Sequence, residues 1–194
     1  MSLNKNLLWN VPNTLTMLRI VLIPVFVGIF YLPAGVIPVH WVNLSATLVF
    51  ALAAITDWLD GYLARVLNQT SAFGTFLDPV ADKLMVAAAL IVLVEFGRVG
   101  AIIALIIIGR EIAISALREW MAGIGEGSSV AVALLGKVKT GLQMVAILFL
   151  LYYDPIGPLN VKLIGEVLID TAAFLTLLSM AYYLKAAWPR MSQR

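Results

Sequence analysis

The sequence predicts an all-α, polytopic integral membrane protein: six transmembrane helices preceded by a short N-terminal interfacial helix. Three observations carry this expectation. Of 194 residues, 62% are hydrophobic and 12% charged, against about 45–50% and about 25% in soluble domains. The mean hydropathy of +0.98 is spread along most of the chain, and one small globule cannot hide that much apolar surface while covering its own exterior. At roughly 20 apolar residues per spanning helix, the length holds about six spans with short connections. Residues 1–194 therefore read as a single membrane domain with no separate water-soluble part.

The elements follow in order. Lys5 precedes Leu7, Leu8 and Trp9, and no small-residue cleavage site appears before the next apolar run. That pattern fits an interfacial helix rather than a removed signal peptide. The first span, 13–31, is closed by Pro33, Gly35 and Pro38, and the second, 41–66, by the polar stretch Asn68 to Ser71. The third, 74–96, ends at Gly97 to Gly100, and the fourth, 99–122, at Gly123 to Ser129. The fifth, 134–153, stops at Asp154 to Asn160, and the sixth covers 161–187. Each break is rich in residues that punctuate helices. Spans embedded in lipid must satisfy their own backbone groups, and the alternating pattern of a barrel is absent, so these are helices. Trp41, Trp58, Trp120, Tyr152, Tyr153, Tyr182, Tyr183 and Trp188 mostly lie near span ends, as interfacial aromatics do.

Composition excludes several chemistries. The absence of cysteine removes disulfides, thiolate ligands and a cysteine nucleophile. A single histidine, His40, removes multi-histidine sites. The net charge of +2 is too small and too dispersed for a nucleic-acid footprint. Lys5, Arg19, Arg65, Lys83, Arg118, Lys137, Lys139, Lys185, Arg190 and Arg194 all fall near the same side of the membrane, with Arg98 and Lys162 on the other. The bias puts both termini on the cytoplasmic side. Arg110 belongs to neither group, because it falls near the middle of the fourth span.

The stretch from Asp57 to Asp82 is the most informative. Asp57, Asp60, Gly61, Ala64 and Arg65 fall within one arc of a helix, and Asp78 and Asp82 stack one turn apart on the next. The short connection between these spans brings four carboxylates toward one place. Each intramembrane Asp costs roughly 2.5–3.5 kcal/mol at mid-bilayer and less toward a helix end, so an ionised cluster demands cations. Oxygen-only donors without His or Cys suit hard divalent ions, Mg²⁺ or Mn²⁺, and four negative charges match two of them. Gly61, Ala64 and Gly74 leave room for a bulky ligand beside the metals, and a phosphate-rich one fits. Taken alone, Asp78 before Pro79 has the pattern of a helix N-cap with proline at N1. Taken together, the eight residues recur by chance on the order of once in 10¹⁰ starting positions at average usage.

The spacing D-x2-D-G-x2-A-R-x8-G-x3-D-x3-D, complete from Asp57 to Asp82, resembles the signature of the CDP-alcohol phosphatidyltransferase family of membrane enzymes. The resemblance implies about six transmembrane helices, often in a homodimer. It implies that Asp57, Asp60 and Asp78 bind divalent metal, and that Asp82 stands near the metals and is the catalytic general base. Gly61, Ala64 and Arg65 would then line the CDP site, with Gly74 beside it, for binding CDP-diacylglycerol. Two metals across a pyrophosphate would neutralise developing charge on the departing CMP.

A second polar set, Arg110, Glu111, Arg118, Lys137 and Lys139, is basic. A bidentate Arg and a Lys suit an anionic phosphate. Lys137 and Lys139 point apart on a helix, and Lys139 is favoured because it shares a face with Gln143. Snorkelling at the interface accounts equally for Arg118 and Lys137, but not for Arg110, which at its depth needs a partner or a polar cavity. The segments Pro12 to Arg19, Arg110-Glu111, Ser115 to Trp120 and Gly136 to Thr140 look like the bacterial branch of the same family whose acceptor is sn-glycerol 3-phosphate. That resemblance implies Arg110, Arg118, Lys137 and Lys139 at the acceptor, phosphatidylglycerophosphate and CMP as products, and a bacterial inner-membrane location. Arg19 then sits by lipid or nucleotide phosphates, or simply snorkels. An inositol phosphate acceptor would keep the acidic site and change only the basic one. A divalent-cation transporter would instead line a path across the bilayer with acids, whereas these cluster at one side.

Overall fold

The computed structural model describes the backbone of residues 11–33, 35–66, 72–123 and 130–191. Among them the chain forms six α-helices: α1 (Val11–Phe30), α2 (Val39–Val66), α3 (Ala72–Glu95), α4 (Ala101–Gly123), α5 (Val130–Tyr152) and α6 (Val161–Met191). These six helices fall where the six spans were expected, with edges moved by a few residues. The expected interfacial helix at the N-terminus lies outside the described residues. Among the described residues, three stretches are long and apolar enough to cross a membrane: Asn13–Phe30, Val39–Asp60 and Val161–Lys185. Large apolar side chains such as Ile102, Leu105, Phe76 and Phe174 face outward. That surface is what lipid rather than water requires, and the protein is a polytopic membrane protein.

The chain divides into two compact units, residues 1–92 and 93–194. In the first, α1 packs on α2. At 100° per residue, Thr16, Arg19, Phe26 and Phe30 fall within about 80° on α1. Phe26 meets Phe30 edge-on at 5.7 Å and Phe50 of α2 at 6.2 Å. The inward face of α2 runs Ala46, Phe50, Ala53 and then Asp60, all buried. Each face is thus apolar over one half and polar over the other, and the polar halves meet.

Asp78 and Pro79 lie inside α3, so Asp78 is not an N-cap. The inward face of α3 already begins at Gly74 and continues through Ala81, Met85 and Ala89. That continuity carries the helix upstream of Pro79 despite the one backbone hydrogen bond that proline removes. At the far end, Gly97 adopts φ 66°. Its N–H donates to Val94 O at 3.0 Å and that of Arg98 to Leu93 O at 2.8 Å, the pairing of a Schellman stop.

In the second unit α6 packs on both α4 and α5. Gly165 of α6 lies so close to α5 that a Cβ there would sit 2.7 Å from Leu150 Cγ and 3.2 Å from Phe149 Cβ. The end of α5 turns on Tyr153, at φ 60°, a conformation unfavourable for a non-glycine residue. Arg98 compensates: it donates to Leu150 O at 3.1 Å and Leu151 O at 2.8 Å, capping carbonyls the helix leaves free. Its guanidinium also stacks 4.4 Å from the Tyr153 ring centroid. Burial lowers the pKa of Arg98 from its ordinary value, opposed by Tyr153 and Asp154. This cation, an exception to the charge bias along the sequence, is a structural cap. On the far side of the turn, Asn160 Oδ1 accepts from Leu163 N at 3.1 Å and starts α6.

Gly165→Val is expected to lower stability by about 1–3 kcal/mol, the usual cost of overpacking. Gly141→Ala, where a Cβ meets open space, is expected not to lower it, since alanine favours helix. Thermal unfolding of the two variants in the same detergent checks both.

Candidate functional site

The acidic cluster is organised by α1. Arg19, 1% exposed, reaches from α1 to two carboxylates of α2. Its Nη2 donates to Asp60 Oδ2 at 2.6 Å. Its Nη1 lies 2.7 Å from Asp57 Oδ1 as an ion pair without aligned hydrogen-bond geometry. One turn earlier on α1, the Thr16 hydroxyl donates to Asp78 Oδ1 of α3 at 2.5 Å. Three acids from two helices are therefore gathered along one face of a third. Asp78 also lies within Coulombic range of Asp57 and Asp60.

The two α2 acids differ in access. The side chain of Asp60 is 4% exposed and that of Asp57 38%, so one is committed to the interior while the other is half open. Asp82, one turn beyond Asp78 on α3, is half-buried, and Gly74 is buried on the same helix. The side chains of Gly61, Ala64 and Arg65 lie outside the described residues, although α2 carries all three.

Among the described ion pairs of the cluster, one guanidinium serves two carboxylates at a partly buried place, and a third carboxylate lies beside them. The donors are hard oxygens, and a divalent cation suits both the charge and the donor type. Among the described residues, no three acidic or histidine side chains close around a single point. Arg19 stands between Asp57 and Asp60, and Thr16 draws Asp78 to α1. Sequence reasoning left Arg19 between phosphate contact and snorkelling, and the structure puts it on the acids themselves. A signal was present: a cation near the start of a span, sharing a helix face with Thr16 and Phe26.

The basic set belongs to the second unit. Arg110, 5% exposed at the middle of α4, donates from Nη1 to Glu111 Oε2 at 3.0 Å and from Nη2 to Ser179 Oγ of α6 at 3.1 Å. Lys139 of α5, fully buried, donates to Glu111 Oε1 at 3.2 Å. Glu111 thus joins Arg110 and Lys139, two cations on one anion, and the Tyr183 ring centroid lies 6.0 Å from the Arg110 guanidinium. Of the two lysines, Lys139 turns inward as its helix face requires, between the exposed Val138 and Thr140. The side chains of Arg118 and Lys137 lie outside the described residues. Ser179 is the member that sequence reasoning missed, because one serine in an apolar span gives no signal.

Breaking a buried ion pair leaves its partner uncompensated, at about 3–5 kcal/mol. Arg19→Ala is expected to approach that loss through Asp60, with Asp57 adding less because water screens it. Asp60→Asn in the Arg19→Ala background is expected to recover part of it. A double-mutant cycle read by thermal unfolding measures the coupling, and additive losses would refute it.

The CDP-alcohol phosphatidyltransferase family matches residues 9–183. Proteins named CDP-diacylglycerol–glycerol-3-phosphate 3-phosphatidyltransferase from Escherichia coli (strain K12), Shigella flexneri and Shigella boydii serotype 4 (strain Sb227) are each 50% identical over 181 residues, 92% of this chain and 95% of theirs. With the complete acidic motif on α2 and α3 and a match over nearly its whole length, the chain belongs to the CDP-alcohol phosphatidyltransferase family.

Proposed function

We propose that this protein transfers the phosphatidyl group of CDP-diacylglycerol to sn-glycerol 3-phosphate, giving phosphatidylglycerophosphate and CMP. The observation that carries the reading is a buried, oxygen-only acidic cluster in a membrane chain half identical to relatives named for that transfer. The match over residues 9–183 supports a single catalytic domain.

In this reading Asp57, Asp60, Asp78 and Asp82 hold divalent metal, Mg²⁺ or Mn²⁺, probed as a pair of ions. When bound, the metals would neutralise charge on the pyrophosphate and on the departing CMP. The other steps fall to side chains of this chain. Arg19 holds Asp57 and Asp60 on the inward face of α2, and Thr16 holds Asp78. Gly61, Ala64, Arg65 and Gly74 line the CDP-diacylglycerol site. Asp82 takes the proton of the acceptor hydroxyl as its oxygen bonds to the phosphorus bearing diacylglycerol. The bond from that phosphorus to the CMP oxygen breaks, and CMP leaves with the electron pair. An aspartate of ordinary basicity is a weak base, so positioning and charge neutralisation carry much of the rate.

Arg110, Arg118, Lys137 and Lys139 supply positive charge for the phosphate of the acceptor. The placement of Arg110 and Lys139 together on Glu111, buried in the second unit, supports this. The proposal places the protein in a bacterial inner membrane, with the acidic cluster facing the cytoplasm, supported by the Lys and Arg bias. A homodimer belongs to the same proposal and rests on the family resemblance.

Purified protein given CDP-diacylglycerol and Mg²⁺ or Mn²⁺ is expected to release CMP with sn-glycerol 3-phosphate and not with inositol phosphate, serine or phosphatidylglycerol. Release with inositol phosphate instead would keep the acidic chemistry and overturn the acceptor. Metal flux into liposomes without CMP release would favour a transporter. Asp57→Asn and Asp78→Asn are expected to abolish turnover in folded protein. Asp82→Asn is expected to lower kcat by about 10²–10⁴ while CDP-lipid binding persists. Arg118→Ala and Lys139→Ala are expected chiefly to raise KM for the acceptor.

A further inference from the structure

The basic network of the second unit is bordered by polar atoms that satisfy nothing within the protein. Gln143, 1% exposed, has an unpartnered Oε1 one turn along α5 from Lys139. Thr176, fully buried, has an unpartnered Oγ1 one turn along α6 from Ser179. Arg110 Nε is likewise buried without a partner. A buried polar group left unsatisfied costs about 1–3 kcal/mol. In an apolar surround, with no water to stand in for the missing partner, such a group is a place for a ligand to complete.

Thr176 is the more telling of the two. A threonine inside a helix ordinarily spends its hydroxyl on a carbonyl one turn back. Thr47 does so on Asn43 O at 2.7 Å, Thr56 on Ala53 O at 2.8 Å and Thr171 on Val167 O at 2.7 Å. Thr176 makes no such bond, and its own carbonyl accepts from Ser179 Oγ at 2.9 Å. Its hydroxyl is left for something else.

Register brings these groups together. α5 and α6 run antiparallel, with Gly165 against Leu150. Counting equally from that contact along both helices puts Thr176 level with Lys139, and Gln143 level with Ala172. At 1.5 Å per residue the two unpartnered groups are about one turn apart, roughly the length of a three-carbon phosphate ester. Lys139 and Arg110 carry the positive charge, and the neutral donors and acceptors lie on the same faces of α5 and α6.

We infer that Gln143 and Thr176 recognise the hydroxyl of the acceptor that does not react, so that this site selects a polyol phosphate over a simple hydroxyalkyl phosphate. The inference rests on the proposed acceptor chemistry and adds two specificity residues to it. Cations hold the phosphate, while the amide and the hydroxyl read the secondary alcohol beside the attacking primary one. A site built to hydrogen-bond a substrate hydroxyl rejects the analogue lacking it, because its own polar groups then stay unpaired.

The test compares sn-glycerol 3-phosphate with 3-hydroxypropyl phosphate, which keeps the attacking hydroxyl and lacks the secondary one, in the wild type, Gln143→Leu and Thr176→Val. The wild type is expected to favour glycerol 3-phosphate in kcat/KM by at least about tenfold. Each variant is expected to lose roughly two- to tenfold with glycerol 3-phosphate, the range of one neutral hydrogen bond. Neither should change with the deoxy analogue or in KM for CDP-diacylglycerol. Thermal stability should hold or rise, because an apolar group of similar shape replaces an unpartnered polar one. Equal losses with both acceptors, unchanged discrimination, or a drop in stability would make the two residues structural and overturn the inference. A wild type that uses neither acceptor would instead overturn the proposed reaction, and the inference with it.

Discussion

The buried guanidinium of Arg19 is the interaction on which the first unit depends. Asp57 and Asp60 lie on the inward face of α2, continuous with Ala46, Phe50 and Ala53. A helix that buries the apolar half of this stripe buries the acidic half as well. Without a cation, the fold would drive carboxylates into its own interior, at a cost that apolar packing does not offset. Arg19 solves this from α1, because the stripe that seats Phe26 and Phe30 against α2 also aims Arg19 at the acids. Core and site are two ends of one helix pairing.

The second unit treats charge in two ways. Arg98 is spent on structure: both its carbonyl bonds and its aromatic stacking close one end of α5. Arg110 and Lys139 are held by a single carboxylate, Glu111, and by Ser179. The difference is one of partners. Carbonyls at a helix end satisfy Arg98, whereas Arg110 and Lys139 share the carboxylate of Glu111 in an apolar surround, where charge interactions are stronger than in water.

Much of this was legible in the sequence, and the reasons differ by residue. The six spans are readable because lipid imposes length and hydropathy on each of them. Asp57 to Asp82 is readable because acids at fixed spacing inside apolar runs are expensive and so stand out. Arg19 was visible but not assignable, since its partners lie some forty residues away and a cation near a span end snorkels as readily as it pairs. Arg98 read as an exception to charge bias because its partners are backbone carbonyls, which have no sequence identity. Ser179 and Thr176 gave no signal, and Gln143 entered only as the residue sharing a face with Lys139, because uncharged polar residues are ordinary in membrane helices, and what distinguishes them is a bond made or not made. Asp78-Pro79 taken alone has the pattern of a cap, yet the span expected from residue 74 already ran through it, and the inward face continuing upstream carries α3 past the proline.

Across both units the buried arginines are each held by groups of this chain: Arg19 by Asp57 and Asp60, Arg98 by carbonyls at the end of α5, and Arg110 by Glu111 and Ser179. A transfer between two phosphate esters at a membrane needs this arrangement. Were Asp57 and Asp60 free to rotate outward, their charge would go to water and the affinity for a cation with it. Arg19 on Asp57 and Asp60, and Glu111 between Arg110 and Lys139, keep these charges inside the fold at fixed places rather than released to water.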